Sequence, residues 1–336
     1  MKVAVVILNY NGASMLERFL PSVIKFSPGA EIVVADNAST DNSVAVVENK
    51  FPAVRIVRLD KNYGFADGYN RALEQVDAEY YMLLNSDVEV EEGWLEPLLA
   101  LMDSQPDAVA CQPKILAYNN KEAFEYAGAS GGFLDFYGYP YCRGRLFDTV
   151  EEDKGQYDDV CRLFWATGAA LMMRRDAFRN AGGFDGRFFA HMEEVDLCWR
   201  MLARGGAIYA VPQSKVYHVG GATLSKSNPQ KTFLNFRNNL LMLYKNLPEN
   251  ELCRVMRVRA ILDYVAALKF LFTGAWGDFK AVLRARREYK RLRGDYEEQR
   301  KQNLAATIVP VINERARFSL LWQYYIKGKK HFSQLK

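Results

Sequence analysis

Cysteine is sparse in this 336-residue chain, and its five copies, Cys111, Cys142, Cys161, Cys198 and Cys253, include no CxxC pair. Neither a disulfide framework nor a zinc knuckle is suggested, and a reducing cytoplasm is the expected compartment. Long apolar runs are missing too. VAVVIL at 3–8 is too short for a signal peptide and reads as a first strand, so no export is expected. The most hydrophobic late stretch, AILDYVAALKFLFTGAW at 260–276, is broken by Asp263 and Lys269 and falls short of the roughly 20 apolar residues of a membrane span. No GxxxxGK[ST] or GxGxxG follows a strand, which argues against a P-loop enzyme or an ordinary dinucleotide dehydrogenase. No internal repeat or low-complexity tract is found.

What is present is ordinary globular composition, 49% hydrophobic and 25% charged, with an uneven charge distribution. Residues 1–225 carry 21 Lys and Arg against 31 Asp and Glu, whereas 226–336 carry 23 against 9. An acidic body thus bears a basic tail suited to something anionic. Through about residue 115, short apolar runs (VAVVILNY, EIVVADN, RIVRLD, YYMLLNSD, AVACQPKI) alternate with helical patterns (ASMLERFLPSVIKF, ADGYNRALEQV, GWLEPLLALM). This is the βαβ rhythm of a mainly parallel sheet with helices on its faces. The Gly- and Tyr-rich stretch 120–162 reads as loops and short strands able to cover a ligand. Regular patterns return with FWATGAALMMRRDAF, an acidic helix, and two strands, AIYAVP and KVYHVGG. From about 230 the pattern is mostly helical and basic.

Polar residues gather where the early strands end: Asn9 and Asn11, Asp36 and Asn37, Asn85 and Asp87. Ligands of open α/β sheets bind beyond the carboxyl ends of strands, so these residues share one candidate crevice. Asp87 beside Asn85 offers oxygen ligands of the kind Mg²⁺ or Mn²⁺ takes while bridging diphosphate oxygens; plain turn chemistry is the alternative. His218 joins that chemistry only if the fold brings it to Asp87. In FFAHMEEVDLCWR at 188–200, three carboxylates crowd into four residues. A helix dipole alone accounts for acids in a first turn. On a helical wheel, Val195, Cys198, Trp199 and Leu202 form an apolar face opposite Glu193, Asp196 and Arg200. Asp196 and Arg200 pair four apart, either structurally or to hold Arg200 toward a phosphate. Glu194 sits at the apolar flank, where its charged form is disfavoured, and is the preferred proton acceptor.

Taken together, VVILNYNG (5–12), VVADNASTDNS (33–43), NYGFADGYNRAL (62–73), LLNSDVEV (83–90), ATGAALMMRRDAF (166–178), GGFDGRFFAHMEEVDLCWR (182–200) and VYHVGGATL (216–224) resemble the family 2 glycosyltransferases, in particular a rhamnosyltransferase-like bacterial branch. The resemblance implies a GT-A fold: a Rossmann-like mixed α/β sheet with helices on both faces over 1–228, divided into a nucleotide-binding half (1–115) and an acceptor and catalytic half (116–228). A mostly helical basic extension then runs over 229–336. It implies inversion, with a sugar passing from dTDP-rhamnose or a UDP-sugar to a saccharide or polyprenyl-diphosphate-linked acceptor in cell-surface polysaccharide synthesis. Tyr10 would stack on the base and Asp36 contact it. Asn11, Asn37, Asn62, Gly64, Asn70, Asn85 and Arg200 would complete the nucleotide site. Asp87 and His218 would hold Mg²⁺ or Mn²⁺, and Glu193-Glu194, supported by Asp196, would supply the base. Two departures stand out: Asn85 replaces the first aspartate of the DXD motif, and Glu194 stands where aspartate is common.

Two rivals are weighed. A nucleotidyltransferase usually wants a basic glycine-rich loop near the N-terminus, and NYNGASML has no Lys or Arg before Arg18. A degenerate sugar-nucleotide-binding scaffold is conceivable because of Asn85. The segment RARREYKRLR at 284–293, preceded by Tyr264, Phe270, Phe272, Trp276 and Phe279, reads either as an amphipathic region resting on an anionic cytoplasmic leaflet or as helices packed on the body or on a second subunit of a homodimer. No nucleic-acid motif accompanies the charge, so nucleic acid is not an expected partner.

Overall fold

The computed structural model describes residues 2–220 and 228–335. Its main sheet has ten strands among those residues, ordered β12-β14-β6-β13-β4-β1-β2-β3. The nucleotide-side strands β1 (Val3–Asn9), β2 (Glu31–Asp36), β3 (Arg55–Arg58) and β4 (Tyr80–Leu84) run parallel. β13 (Ala170–Arg174) is antiparallel between β4 and β6 (Ala108–Ala117), and β6 runs parallel to β14 (Ala207–His218). β5 (Val88–Val90) and β12 (Cys161–Leu163) pair with β14, and β7 (Asn120–Phe124) with β6. This is the mixed sheet expected from the sequence.

The period of two along β1 feeds both faces. Val3, Val5 and Ile7 pack with Leu16, Leu20 and Val23 of α1 (Ala13–Phe26), Val47 of α2 (Ser43–Lys50) and Leu98 and Met102 of α4 (Glu96–Ser104). Ala4 and Val6 belong to the other core, with Tyr69 and Leu73 of α3 (Gly64–Leu73), Phe178 of α5 (Arg175–Asn180) and Val195, Leu197 and Cys198 of α6 (Glu193–Ala203). The runs AIYAVP and KVYHVGG, expected as two strands, form the single β14; the pairing with β6 slips between Val211 and Lys215, where the intervening polar residues are absorbed as an irregularity.

Between β7 and β12, four short strands, β8 (Gly132–Leu134), β9 (Pro140–Cys142), β10 (Arg145–Leu146) and β11 (Thr149–Val150), make a second sheet. The C-terminal region is helical: α7 (Pro229–Asn246), α8 (Glu249–Phe272), α9 (Trp276–Leu292) and α10 (Glu297–Ala305). Its last residues fold back on the small sheet, where Phe332 meets Phe133, Tyr141 and Tyr157, and Asp135 accepts from the Leu320 amide at 2.7 Å. Within RARREYKRLR, Arg286 and Tyr289 are buried, and Arg286 pairs with the buried Asp263 of α8. That segment is therefore not an evenly solvated basic stripe. No helix among the described residues is long and apolar enough to cross a membrane.

Candidate active site

β4 ends at Leu84 and the chain turns through Asn85, Ser86 and Asp87 before β5 pairs with the end of β14. That pairing sets Val88 opposite His218, so residues 130 apart in sequence share one sheet end. Asp87 Oδ1 lies 3.2 Å from His218 Nε2, the Asn85 amide nitrogen is 3.3 Å from the same atom, and Asp87 Oδ2 accepts from the Gly220 amide at 3.2 Å. On the other side of the ring, His218 Nδ1 lies 3.2 Å from Glu125 Oε2. All three charged groups are buried. Burial opposes protonation of His218, but hydrogen bonds and charge from Asp87 and Glu125 outweigh it and push its pKa up to about 10. Residues 221–224 of the VYHVGGATL motif lie outside the described residues.

No cluster of three or more potential metal ligands occurs among the described residues. The fit is nonetheless that of a site completed by its substrate. Mg²⁺ and Mn²⁺ accept one carboxylate and a neutral imidazole when waters and diphosphate oxygens fill the remaining positions, so a bound cation would take the place of the proton that Asp87 and Glu125 hold on His218. Glu125 on Nδ1 is the second partner that fixes a ligating histidine's ring and aims Nε2 at Asp87.

The second half of the site is the approach to α6. Phe189, His191 and Met192 have φ of 65°, 70° and 71°, a left-handed conformation unusual for such residues. The loop is held from two sides. Phe65 at the start of α3 donates to the Phe189 carbonyl at 2.7 Å, and the Asn238 amide of α7 reaches the carbonyls of Phe188, Ala190 and His191 at 2.8 to 3.0 Å. Glu193 and Glu194 follow, and each has one buried carboxyl oxygen without a hydrogen-bond partner. Glu194 retains some exposure whereas Glu193 is only 4% exposed. Burial pushes Glu194 up to about 7 and raises Glu193 well above the usual carboxylate range, with the Glu194 charge adding to the latter. The Cys142 thiol is raised first by burial and further by the charges of both Glu125 and Glu194. The charges of the carboxylate behind His218 and of the candidate base thus both act on Cys142.

Asp196 and Arg200 do not face the crevice. Asp196 is fully buried between Arg200, at 2.9 Å, and Lys245 of α7, also at 2.9 Å, and accepts from Asn246 at 2.8 Å. Arg200 spends its guanidinium on Asp196 and the Ala181 carbonyl. The polar side of the wheel is covered because α7 packs on it and supplies the missing cation. Burial alone would raise Asp196; the Lys245 and Arg200 charges hold it below the usual range. Lys245 and Asn238 escaped sequence reasoning, although polar residues around the apolar run LLML at 240–243 carried a signal.

On the nucleotide side, Tyr10 is half exposed beyond β1, and Asp36 accepts from Asn9 at 3.4 Å and from the Ser39 amide at 3.1 Å. The Asn11 carbonyl oxygen is occupied by Thr40 and Asp41. Asn37 bonds Asn62, the Gly64 carbonyl and the Tyr63 amide. Asn70 makes a two-way clamp on the Phe184 backbone, both bonds at 2.9 Å. Their side chains therefore shape the loops around the crevice. Gly64, at φ +74°, is pressed against Phe189; an added Cβ would lie 2.5 Å from its ring.

An acid–imidazole pair thus stands at the carboxyl edge of the sheet, and a carboxylate with a raised pKa stands in the first turn of α6. The chain belongs to glycosyl transferase family 2, whose model matches residues 4–181. It is 29% identical over 233 residues to an N-acetylglucosaminyl-diphospho-decaprenol L-rhamnosyltransferase of Mycobacterium tuberculosis, covering 64% of this chain and 75% of that one. It is 25% identical over 222 residues to the O-antigen biosynthesis protein RfbC of Myxococcus xanthus, covering 65% of this chain but 17% of that protein. Among solved structures, GalNAc-T7 with UDP, GalNAc and Mn²⁺ superposes with TM-score 0.59 at 19% identity, over 73% of this chain and 48% of that one. S. aureus TarS 1-349 with UDP superposes with TM-score 0.53 at 16% identity, over 98% and 92%.

Proposed function

We propose that this glycosyltransferase is an inverting, divalent-cation-assisted enzyme. It transfers a deoxyhexose or hexose from a dTDP- or UDP-linked donor to a saccharide carried on a polyprenyl diphosphate. The observation that carries the reading is the juxtaposition of Asp87, Asn85 and His218 at the sheet's carboxyl edge, in a chain that also holds a carboxylate with a pKa near neutrality at the head of α6. The acceptor class is supported by the mycobacterial relative, and polysaccharide synthesis also by the Myxococcus relative.

In this mechanism Tyr10 offers a face for the base, and Asp36 a carboxylate at its edge. Asp87 and His218 would hold Mg²⁺ or Mn²⁺. The cation would neutralise charge developing on the leaving diphosphate. Glu194 accepts the proton of the acceptor hydroxyl as that oxygen bonds to the anomeric carbon and the bond to the diphosphate breaks, which inverts the centre. One base and one diphosphate site suffice; the paired carboxylates of glycoside hydrolases solve a different problem. Glu193 is raised by burial and then by the charge of Glu194, so the two neighbours oppose carrying two negative charges at once.

Thermal shift and donor hydrolysis with UDP-, dTDP- and GDP-sugars, each with and without Mn²⁺, test the reading. Cation-dependent stabilisation by one nucleotide class supports it. Stabilisation by none, with no hydrolysis, would favour a degenerate scaffold.

A further inference from the structure

The outer side of α8 exposes a row of large apolar side chains that no described part of the chain covers. Ile261, Tyr264, Val265, Leu268 and Phe272 are 45 to 83% exposed. On a wheel of about 100° per residue they fall within an arc of roughly 100°. Val255, Arg259, Asp263 and Ala267, which pack inward, occupy the opposite side. Trp276 continues the row into α9 at 59% exposure. A second exposed group, Trp322, Tyr325 and Ile326, adjoins it: Lys269 of α8 lies 5.6 Å from the centre of the Tyr325 ring. The two groups form one patch.

Its charge is mostly of one sign, Asp148 beside Phe147 being an acid at its edge. Arg254, Arg257 and Lys269 are exposed on α8, and Lys327, Lys329 and Lys330 follow Ile326. The only acid between 252 and 277 is Asp263, which is buried and paired with Arg259 and Arg286. Residues 315–336 contain no Asp or Glu.

We propose that this patch seats the protein on an anionic lipid monolayer, with α8 parallel to the surface. Phe272, Leu268, Trp276 and Trp322 enter the acyl boundary while the lysines and arginines meet headgroup phosphates. Apolar residues rimmed mostly by cations, with Asp148 near Tyr325 an exception, are the features that select such a surface. A second copy of the chain fits poorly, because an isologous contact would set this basic rim against itself. The proposal rests on the C-terminal helices alone and holds whether or not the reading of the active site does.

The test is sedimentation of the full chain with vesicles of phosphatidylglycerol and phosphatidylcholine, without donor or acceptor. Binding to the anionic vesicles is expected, weakening at least tenfold from 50 to 300 mM salt and nearly absent with pure phosphatidylcholine. L268S/F272S should reduce binding at least tenfold with an unchanged melting temperature, since both side chains are already in water. K327E/K329E should lower binding and flatten the salt dependence. Brominated lipids should quench tryptophan emission, and W276S/W322S should abolish that quenching. Absence of binding to anionic vesicles at low salt overturns the proposal. So does retained binding in L268S/F272S, or a dimer in light scattering that L268S/F272S dissociates while vesicles are ignored.

Discussion

Replacing Lys245 with methionine isolates the contact that joins the C-terminal helices to the catalytic loop. The ammonium is fully buried, 2.7 Å from Asp185 Oδ2 and 2.9 Å from Asp196 Oδ2. Methionine conserves most of the volume, so the loss is electrostatic: Asp185 loses its cation and Asp196 keeps only Arg200. Breaking a buried pair by deleting one partner costs about 3–5 kcal/mol, because a desolvated charge is left behind. The pH dependence gives the sharper test. Asp196 has a depressed folded pKa, so its ionised form contributes stability above the unfolded value of about 3.9, and that contribution disappears as pH falls through the folded value. Removing Lys245 relaxes the depression. The deficit of the variant should therefore be full at pH 7 and shrink as pH falls below about 4. Urea unfolding of both proteins at a series of pH values measures this, and adding Asp196→Asn to Lys245→Met should recover part of the loss. A Lys245→Met protein within about 1 kcal/mol of the parent at pH 7, with no pH trend, would refute the assignment.

Glu194→Gln should lower turnover by about 10²- to 10⁴-fold while leaving donor affinity within a few-fold, measured by single-turnover kinetics and calorimetry. In the parent, kcat/KM should rise with pH and level off above about 7, because the base acts only when ionised; a flat profile from pH 5 to 9 would exclude this role. Asp87→Asn and His218→Ala should each abolish the Mn²⁺-dependent part of the donor's thermal shift with little effect on the metal-independent part. Asn238→Leu removes the amide that holds three carbonyls of the left-handed loop, and should cost about 1–3 kcal/mol in chemical denaturation together with a fall in kcat larger than the change in donor KM. Gly64→Ala meets both a φ of +74° and the Phe189 ring, and should destabilise by about 1–3 kcal/mol in the same assay.

Most of the scaffold was legible because its signals are local. The alternation of VAVVIL reports two buried faces, and the polar residues after NY, AD and LLNSD mark strand ends where a ligand can approach. That His218 reaches Asp87 was not local information; it depends on β5 pairing with β14, which three residues of sequence do not announce. The reading of α6 failed on its polar side for the same reason. Asp196 and Arg200 look solvated when only their own helix is considered, yet the helix that buries them begins at Pro229, and the lysine that pairs with Asp196 lies 49 residues beyond it. Asn11, Asn37, Asn62 and Asn70 tie loops around the crevice, a structural role that their residue type suits as well as it suits contact with a nucleotide.

The grip of α7 on the catalytic loop also bears on how such enzymes can be recombined. A cut near residue 228 looks natural in the sequence, since the sheet is complete there and charge changes sign. It would strand Asp185 and Asp196 without Lys245 and release the Asn238 hold on Phe188, Ala190 and His191. A chimera that grafts another relative's C-terminal helices onto this sheet therefore inherits a working base only if the graft brings its own asparagine and lysine seven residues apart. On the proposed reading, the helices after residue 228 support the base as closely as the sheet does.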